Sequence, residues 1–172
     1  MNEDEFWLII EKAGNPNSIE PDEQCENIIE ILETMDKQEI VDFSNIHRNI
    51  LVKSYTWPMI KASYVLTGFA SDDGFQDFQN WVILNGKDKF YKTLENPDYL
   101  AEYISVQDPI EETTGESLLY VCEEAWDGDI EDLEEQYIYP EEPTIDEDIP
   151  EKNILINEFP NIHAKYRTLD HA

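Results

Sequence analysis

Apolar residues recur along this chain at three- and four-residue intervals, the spacing that lays them on one face of a helix. Phe6, Ile9, Ile10 and Ala13, with Trp7 beside them, mark a first helix from Glu3 to about Ala13, and Gly14-Asn15-Pro16-Asn17 stops it. Acidic residues at its start complement the positive helix end. A second helix is predicted to open at Pro21, with Cys25, Ile28, Ile29, Leu32 and Met35 as its stripe. Asp36 then reads as a cap, and Glu39 three residues on completes a capping box with Asp in place of the usual Ser or Thr. The third helix carries Ile40, Phe43, Ile46, Ile50 and Leu51. Pro58 fits the first turn of a fourth, capped by Thr56 or Trp57, with Ile60, Tyr64, Val65 and Phe69 along it and Gly68 as its stop. Ser71-Asp72-Asp73 opens a fifth, lined by Phe75, Phe78, Trp81 and Val82 and closed by Asn85-Gly86.

Beyond this point the periodic stretches shorten. Phe90, Tyr91 and Leu94 predict one short helix. Asn96-Pro97-Asp98 turns into Tyr99, Leu100, Tyr103 and Ile104. A later helix is expected over 116–126, with Leu119, Cys122 and Ala125 or Trp126 inward. From Asp127 to Glu151 the pattern breaks: twelve acidic residues, no Lys or Arg, and Pro140, Pro143 and Pro150, which exclude a regular helix. This segment reads as an exposed acidic strap, pinned to the core by Ile138, Tyr139, Ile145 and Ile149. Phe159-Pro160-Asn161-Ile162 leads to a terminal helix with Tyr166 and Leu169. No sustained period-two alternation calls for a sheet. The expected fold is all-α: a single compact domain over 1–172, built as a bundle of about seven to nine helices.

Composition changes that picture mainly through charge. Forty acidic residues face eleven basic ones, for a formal charge of −29. Such a surface repels nucleic-acid backbones, whose binding rests on Lys and Arg displacing counterions, and it repels anionic lipid. It suits solubility, cations or a basic protein partner. Cys25 and Cys122 each sit inside an apolar stretch, as buried reduced thiols do. They form no C-x-x-C pair or Cys/His cluster, so zinc is not expected. The acidic start Met1-Asn2-Glu3-Asp4-Glu5 lacks a basic export region, and no apolar run is long enough to span a membrane. A cytoplasmic location is the expectation.

Several stretches together resemble a known family. They are Phe6-Trp7, then Tyr55-x-Trp57 followed by Ala62, Tyr64 and Gly68, and the dense block Ser71-Asp72-Asp73-Gly74-Phe75-x-x-Phe78-x-x-Trp81-Val82-Ile83-x-x-Gly86. Phe90-Tyr91, Leu94, Asn96-Pro97-Asp98, Ala125-Trp126 and Phe159-Pro160-x-Ile162-x-x-x-Tyr166 continue the likeness. In these residues the chain resembles the domain-of-unknown-function 4240 family across nearly its whole length. The resemblance implies a bacterial, stand-alone helical protein and no established reaction. The family block commonly carries Arg just before the Trp, where this chain has Asn80.

Candidate chemistry gathers around that block. Asp72 and Asp73 are adjacent carboxylates that can hold a cation or move a proton. They equally fit helix capping, with Ser71 or Asp72 accepting backbone N–H bonds and Asp73 facing the helix dipole. Trp57, Tyr64, Trp81 and Tyr91 fit a pocket lining or a core network in which Asp72 or Asp73 takes their N–H and O–H groups. His47, on the third helix, is expected to be exposed. Neither it nor His163 and His171 has a second His at ligand spacing, and no nucleophile elbow or phosphate loop is present. Asp127-Gly128-Asp129-Ile130-Glu131-Asp132 superficially suggests a calcium loop, but Asp132 stands where such a loop needs Gly. No catalytic residue, cofactor or metal ligand is assigned.

Two readings remain. One is a non-enzymatic protein-binding module, immunity- or antitoxin-like, docking a basic partner. The other is an enzyme, or a small-ligand or metal-binding protein, centred on Ser71, Asp72, Asp73 and the aromatics Trp57, Tyr64 and Trp81.

Overall fold

The structure is a computed structural model, and it describes residues 1–68, 71–105 and 114–166. Phe69, Leu169 and His171 lie outside the described residues. The order is α1 (Glu3–Ala13), α2 (Pro21–Leu32), α3 (Lys37–Ser54), α4 (Trp57–Thr67), α5 (Asp72–Leu84) and α6 (Lys87–Glu95). A 3-10 turn at Pro97–Glu102 and another at Glu116–Leu119 follow, then α7 (Val121–Glu124), α8 (Ile130–Glu134), α9 (Lys152–Glu158) and α10 (Pro160–Tyr166). Eight helices of seven or more residues and no strand occur among the described residues, as an all-α bundle requires. None of these helices is long and apolar enough to cross a membrane.

Local signals explain the helix starts. Asn2 and Asp36 each close a capping box, with Glu5 and Glu39 reaching back to the cap backbone. Gly68 ends α4 in the left-handed region (φ 79°), where its N–H donates to the Tyr64 carbonyl. The apolar stripes then meet in one contiguous core. At its centre Phe6 of α1 packs on Phe43 of α3, ring centroids 4.6 Å apart. Trp7 packs on Phe90 at 5.2 Å.

Buried amides lock these helices at their ends, where backbone carbonyls lack intrahelical partners. Gln24 Nε2 donates toward the carbonyls of Ile10, Gly14 and Leu84, joining the C-terminal turns of α1 and α5 to α2. Gln79 Nε2 does the same for Leu51 and also donates to Ser54 Oγ on α3. Asp98 caps α10 from a distance, accepting from the backbone N–H of Asn161 and Ile162 at 3.1 and 2.9 Å. Lys61 pairs with Glu158, so α4 also holds α9.

The structure departs from expectation in the last third. Residues 116–126 are not one helix. The 3-10 turn, at three residues per turn, rotates the buried face, so Leu118 and Val121 point inward and Leu119 is only half-buried. The strap is pinned only in part as expected: Ile149 packs against the core and Ile145 is half-buried. Ile138 and Tyr139 are 61% and 71% exposed. The pins are Leu133 on the short α8, fully buried, with Tyr137 and Ile149 packed against the core. Helix α9 was not anticipated, and its Leu155 joins the core beside Phe159 and Ile162.

Candidate functional site

The block from Ser71 to Trp81 forms α5, and its N-terminus shows what each polar residue does. Ser71 is extended, and its Oγ accepts from the Gly74 N–H at 3.1 Å, which makes it the cap. Asp72 and Asp73 occupy the exposed first turn, next to the positive helix end. They also form one wall of a groove of about 580 Å³ between α3, α5 and the strap.

The floor of that groove is the side of α3 that carries Leu51, Val52 and Tyr55. The opposite wall is the strap, through Tyr139, Pro140 and Glu142. Arg48 sits at the strap end, its guanidinium 4.0 Å from the Tyr137 ring and 4.8 Å from Tyr139. The strap is held there by Asn45, whose Oδ1 accepts from the Ile138 N–H at 2.7 Å and whose Nδ2 donates to the Gln136 carbonyl at 3.2 Å. Arg48 Nε is buried with no hydrogen-bond partner. One turn along α5, the Asp77 carboxyl is raised by burial and by the like charges of Glu116 and Asp73.

The aromatic candidates lie elsewhere. Trp81 is buried and stacks on Tyr103, centroids 5.7 Å apart and nearly parallel. Gly115 approaches the Trp81 backbone N and the Asn80 carbonyl carbon so closely that a Cβ there would clash with both. Trp57 and Tyr64 are half-buried on α4, Trp57 beside Lys61. None of the three lines the groove. The expected network on Asp72 and Asp73 is replaced by one on Glu3. Trp7 Nε1 donates to Glu3 at 3.3 Å, Lys53 donates at 2.6 Å, and the Tyr91 hydroxyl donates as well. Burial opposes the Glu3 charge, but bonds from Lys53, Tyr91 and Trp7 outweigh it and hold the carboxyl at about 2.

His47 is a second correction. It is not exposed: its side chain is enclosed, and Nε2 lies 2.8 Å from Asn80 Oδ1. Burial pulls its pKa down to about 4, against the Asn80 bond and with the help of the Arg48 charge. It is a neutral core histidine. The signal was in the spacing, since Ile40, Phe43, His47 and Ile50 follow the three-four-three rhythm of a buried face. Asn80 is fully buried, and its Nδ2 has no partner. Where the family resemblance expects Arg, this chain thus holds an amide facing His47.

Both cysteines are free and buried, and burial pushes each thiol up to about 12, which leaves them unreactive. The stretch suggestive of a calcium loop is a helix start: Asp129 Oδ1 accepts from the Glu131 N–H at 3.2 Å and caps α8, while Trp126 Nε1 donates to the Asp129 carbonyl. Among the described residues no three His, Cys, Asp or Glu side chains gather as metal ligands.

Comparison with curated proteins and with solved structures finds no match. A family model does match, over residues 1–128, and its description is protein of unknown function (DUF4240). That stretch holds α1 to α7, both 3-10 turns, the α3–α5 floor and wall of the groove, and the buried His47–Asn80 pair, while the strap wall falls beyond it. With the match spanning this much of the fold, the chain belongs to the DUF4240 family of proteins of unknown function.

Proposed function

We propose that this protein is a non-enzymatic binding module that docks a basic protein through its acidic strap face. The observation that carries the reading is the state of the strap carboxylates. Glu141, Glu142, Asp146, Glu147 and Asp148 are exposed, and no ion pair joins them to a cation among the described residues. They stand beside exposed Ile138 and Tyr139, an apolar pair flanked by unneutralised charge. A field of one sign speeds encounter with a partner of the other, and an exposed aromatic supplies contact area once the two meet.

In this reading the protein works in the bacterial cytoplasm. A fitting partner is a nuclease-like toxin with a basic substrate groove, which an immunity or antitoxin protein would cover. The small-ligand reading has one observation in its favour, the groove beside Asp72 and Asp73. It is weakened because Trp57, Tyr64 and Trp81 stand away from that groove.

Affinity capture from a source lysate, with and without the strap carboxylates neutralised, tests the proposal. The expected result is a basic protein that the native chain retains at low salt, high salt releases, and the neutralised chain fails to hold. Retention of nothing basic at low salt would end the proposal.

A further inference from the structure

The groove between α3, α5 and the strap has the chemistry to hold part of a partner rather than merely face it. We infer that it seats a Lys or Arg side chain carried on an extended segment of the basic partner. This inference rests on the binding reading above and adds a location to it.

Three features converge. First, the groove is about 580 Å³, room for a long side chain with its neighbouring backbone. Second, its interior is apolar along Leu51, Val52 and Tyr55, while Asp72, Asp73 and Glu142 stand on opposite walls. Long basic side chains bury their aliphatic stems on apolar surface and keep the charged end among polar groups, so stem and head both find a match here. An acidic segment would meet three carboxylates, and a wholly apolar one would leave them desolvated without a partner. Third, Arg48, the basic residue of the lining, packs against the Tyr137 and Tyr139 rings at the strap end, its guanidinium 4.0 and 4.8 Å from them. The single Arg48 charge is spread over the Tyr137 and Tyr139 faces and is outnumbered by the carboxylates.

The two walls of the groove differ in build. Tyr139 and Pro140 belong to a segment without regular structure that Asn45 fastens near Ile138. Beyond that point Glu141 to Thr144 are exposed. A bound segment therefore meets a helical wall on α5 and an irregular, exposed one on the strap.

Titration with a short fluorescent peptide rich in Lys and Arg separates this site from general attraction. Three proteins are compared: the native chain, the variant D72N/D73N/E142Q, and a control, E26Q/E30Q/E33Q. The control removes as many charges from exposed positions on and just after α2. The groove variant is expected to bind about tenfold more weakly, and the control at most about twofold. Gln76→Lys adds a positive charge at an exposed groove position without touching the core, and it should weaken binding as strongly. Circular dichroism confirms that each variant is folded. Equal weakening by the groove and control variants would overturn the groove assignment and leave the binding proposal standing. No binding by the native chain at low salt would overturn both.

Discussion

The helical block and the strap are both rich in carboxylates, yet they use them in opposite ways. In the block, acids have structural tasks. Asp36 caps α3, Asp98 caps α10, Asp42 pairs with the chain's N-terminal amine, and Glu3 collects Lys53, Tyr91 and Trp7. In the strap, Glu141, Glu142, Asp146, Glu147 and Asp148 form no ion pair among the described residues, and no Lys or Arg occurs between Lys92 and Lys152. Total charge alone does not reveal this difference. It follows from where the few cations fall along the chain, and it separates the part of the molecule that folds from the part that is free to recognise.

The sharpest contrast is in packing. Phe43→Ala, at the centre of the ring cluster, should cost about 3–5 kcal/mol by urea unfolding. Ile138→Ala and Tyr139→Ala on the strap should stay within about 0.5 kcal/mol. Comparable losses at both places would erase the distinction.

Next in size is the pH response of the block. His47 titrates near 6.5 when unfolded and at about 4 when folded, so as pH falls the unfolded chain takes the proton first. Stability from keeping His47 neutral is whole above that window, declines by roughly 3 kcal/mol through it, and levels off below about pH 4. The difference between native and His47→Gln unfolding energies should carry this slope. A flat difference from neutral to acid pH would mean that the ring is open to water.

Smaller again is Gly115→Ala, whose Cβ would press on the Trp81 backbone. A loss of about 1–3 kcal/mol, read as a lowered Tm, is expected. Smallest is Ser71→Ala, which removes the α5 cap for about 1 kcal/mol. Asp72→Asn and Asp73→Asn should cost less than that, since neither carboxylate is the cap. If either cost more than Ser71→Ala, the groove wall would be structural.

How much of this could be read in advance differs by region for the same reason. The first six helices were legible because stripe and boundary signals agree: Asp36 with Glu39, Pro21, Pro58, and Gly68 all mark real ends. The last third was not, because its elements run too short for periodicity to show. A four-residue helix such as α7 makes hardly one turn, and a 3-10 turn shifts its buried face. At the site, Ser71 as cap was legible from its place before an apolar run. The groove was not, since it joins Asp72 to Tyr139 across a tertiary contact that no local spacing encodes. The exposed position expected for His47 fails because a polar residue can share an apolar stripe, as His47 does with Phe43 and Ile50.

The central claim is that the strap carboxylates Glu141, Glu142, Asp146, Glu147 and Asp148 do no work in the fold. Urea unfolding of a variant with Glu141, Glu142, Asp146, Glu147 and Asp148 all changed to their amides tests it most directly. The account predicts stability within about 0.5 kcal/mol of the native chain, or somewhat higher as self-repulsion is relieved. A loss of more than about 1 kcal/mol, the scale of a missing cap, would show that these carboxylates hold the structure together and contradict the account.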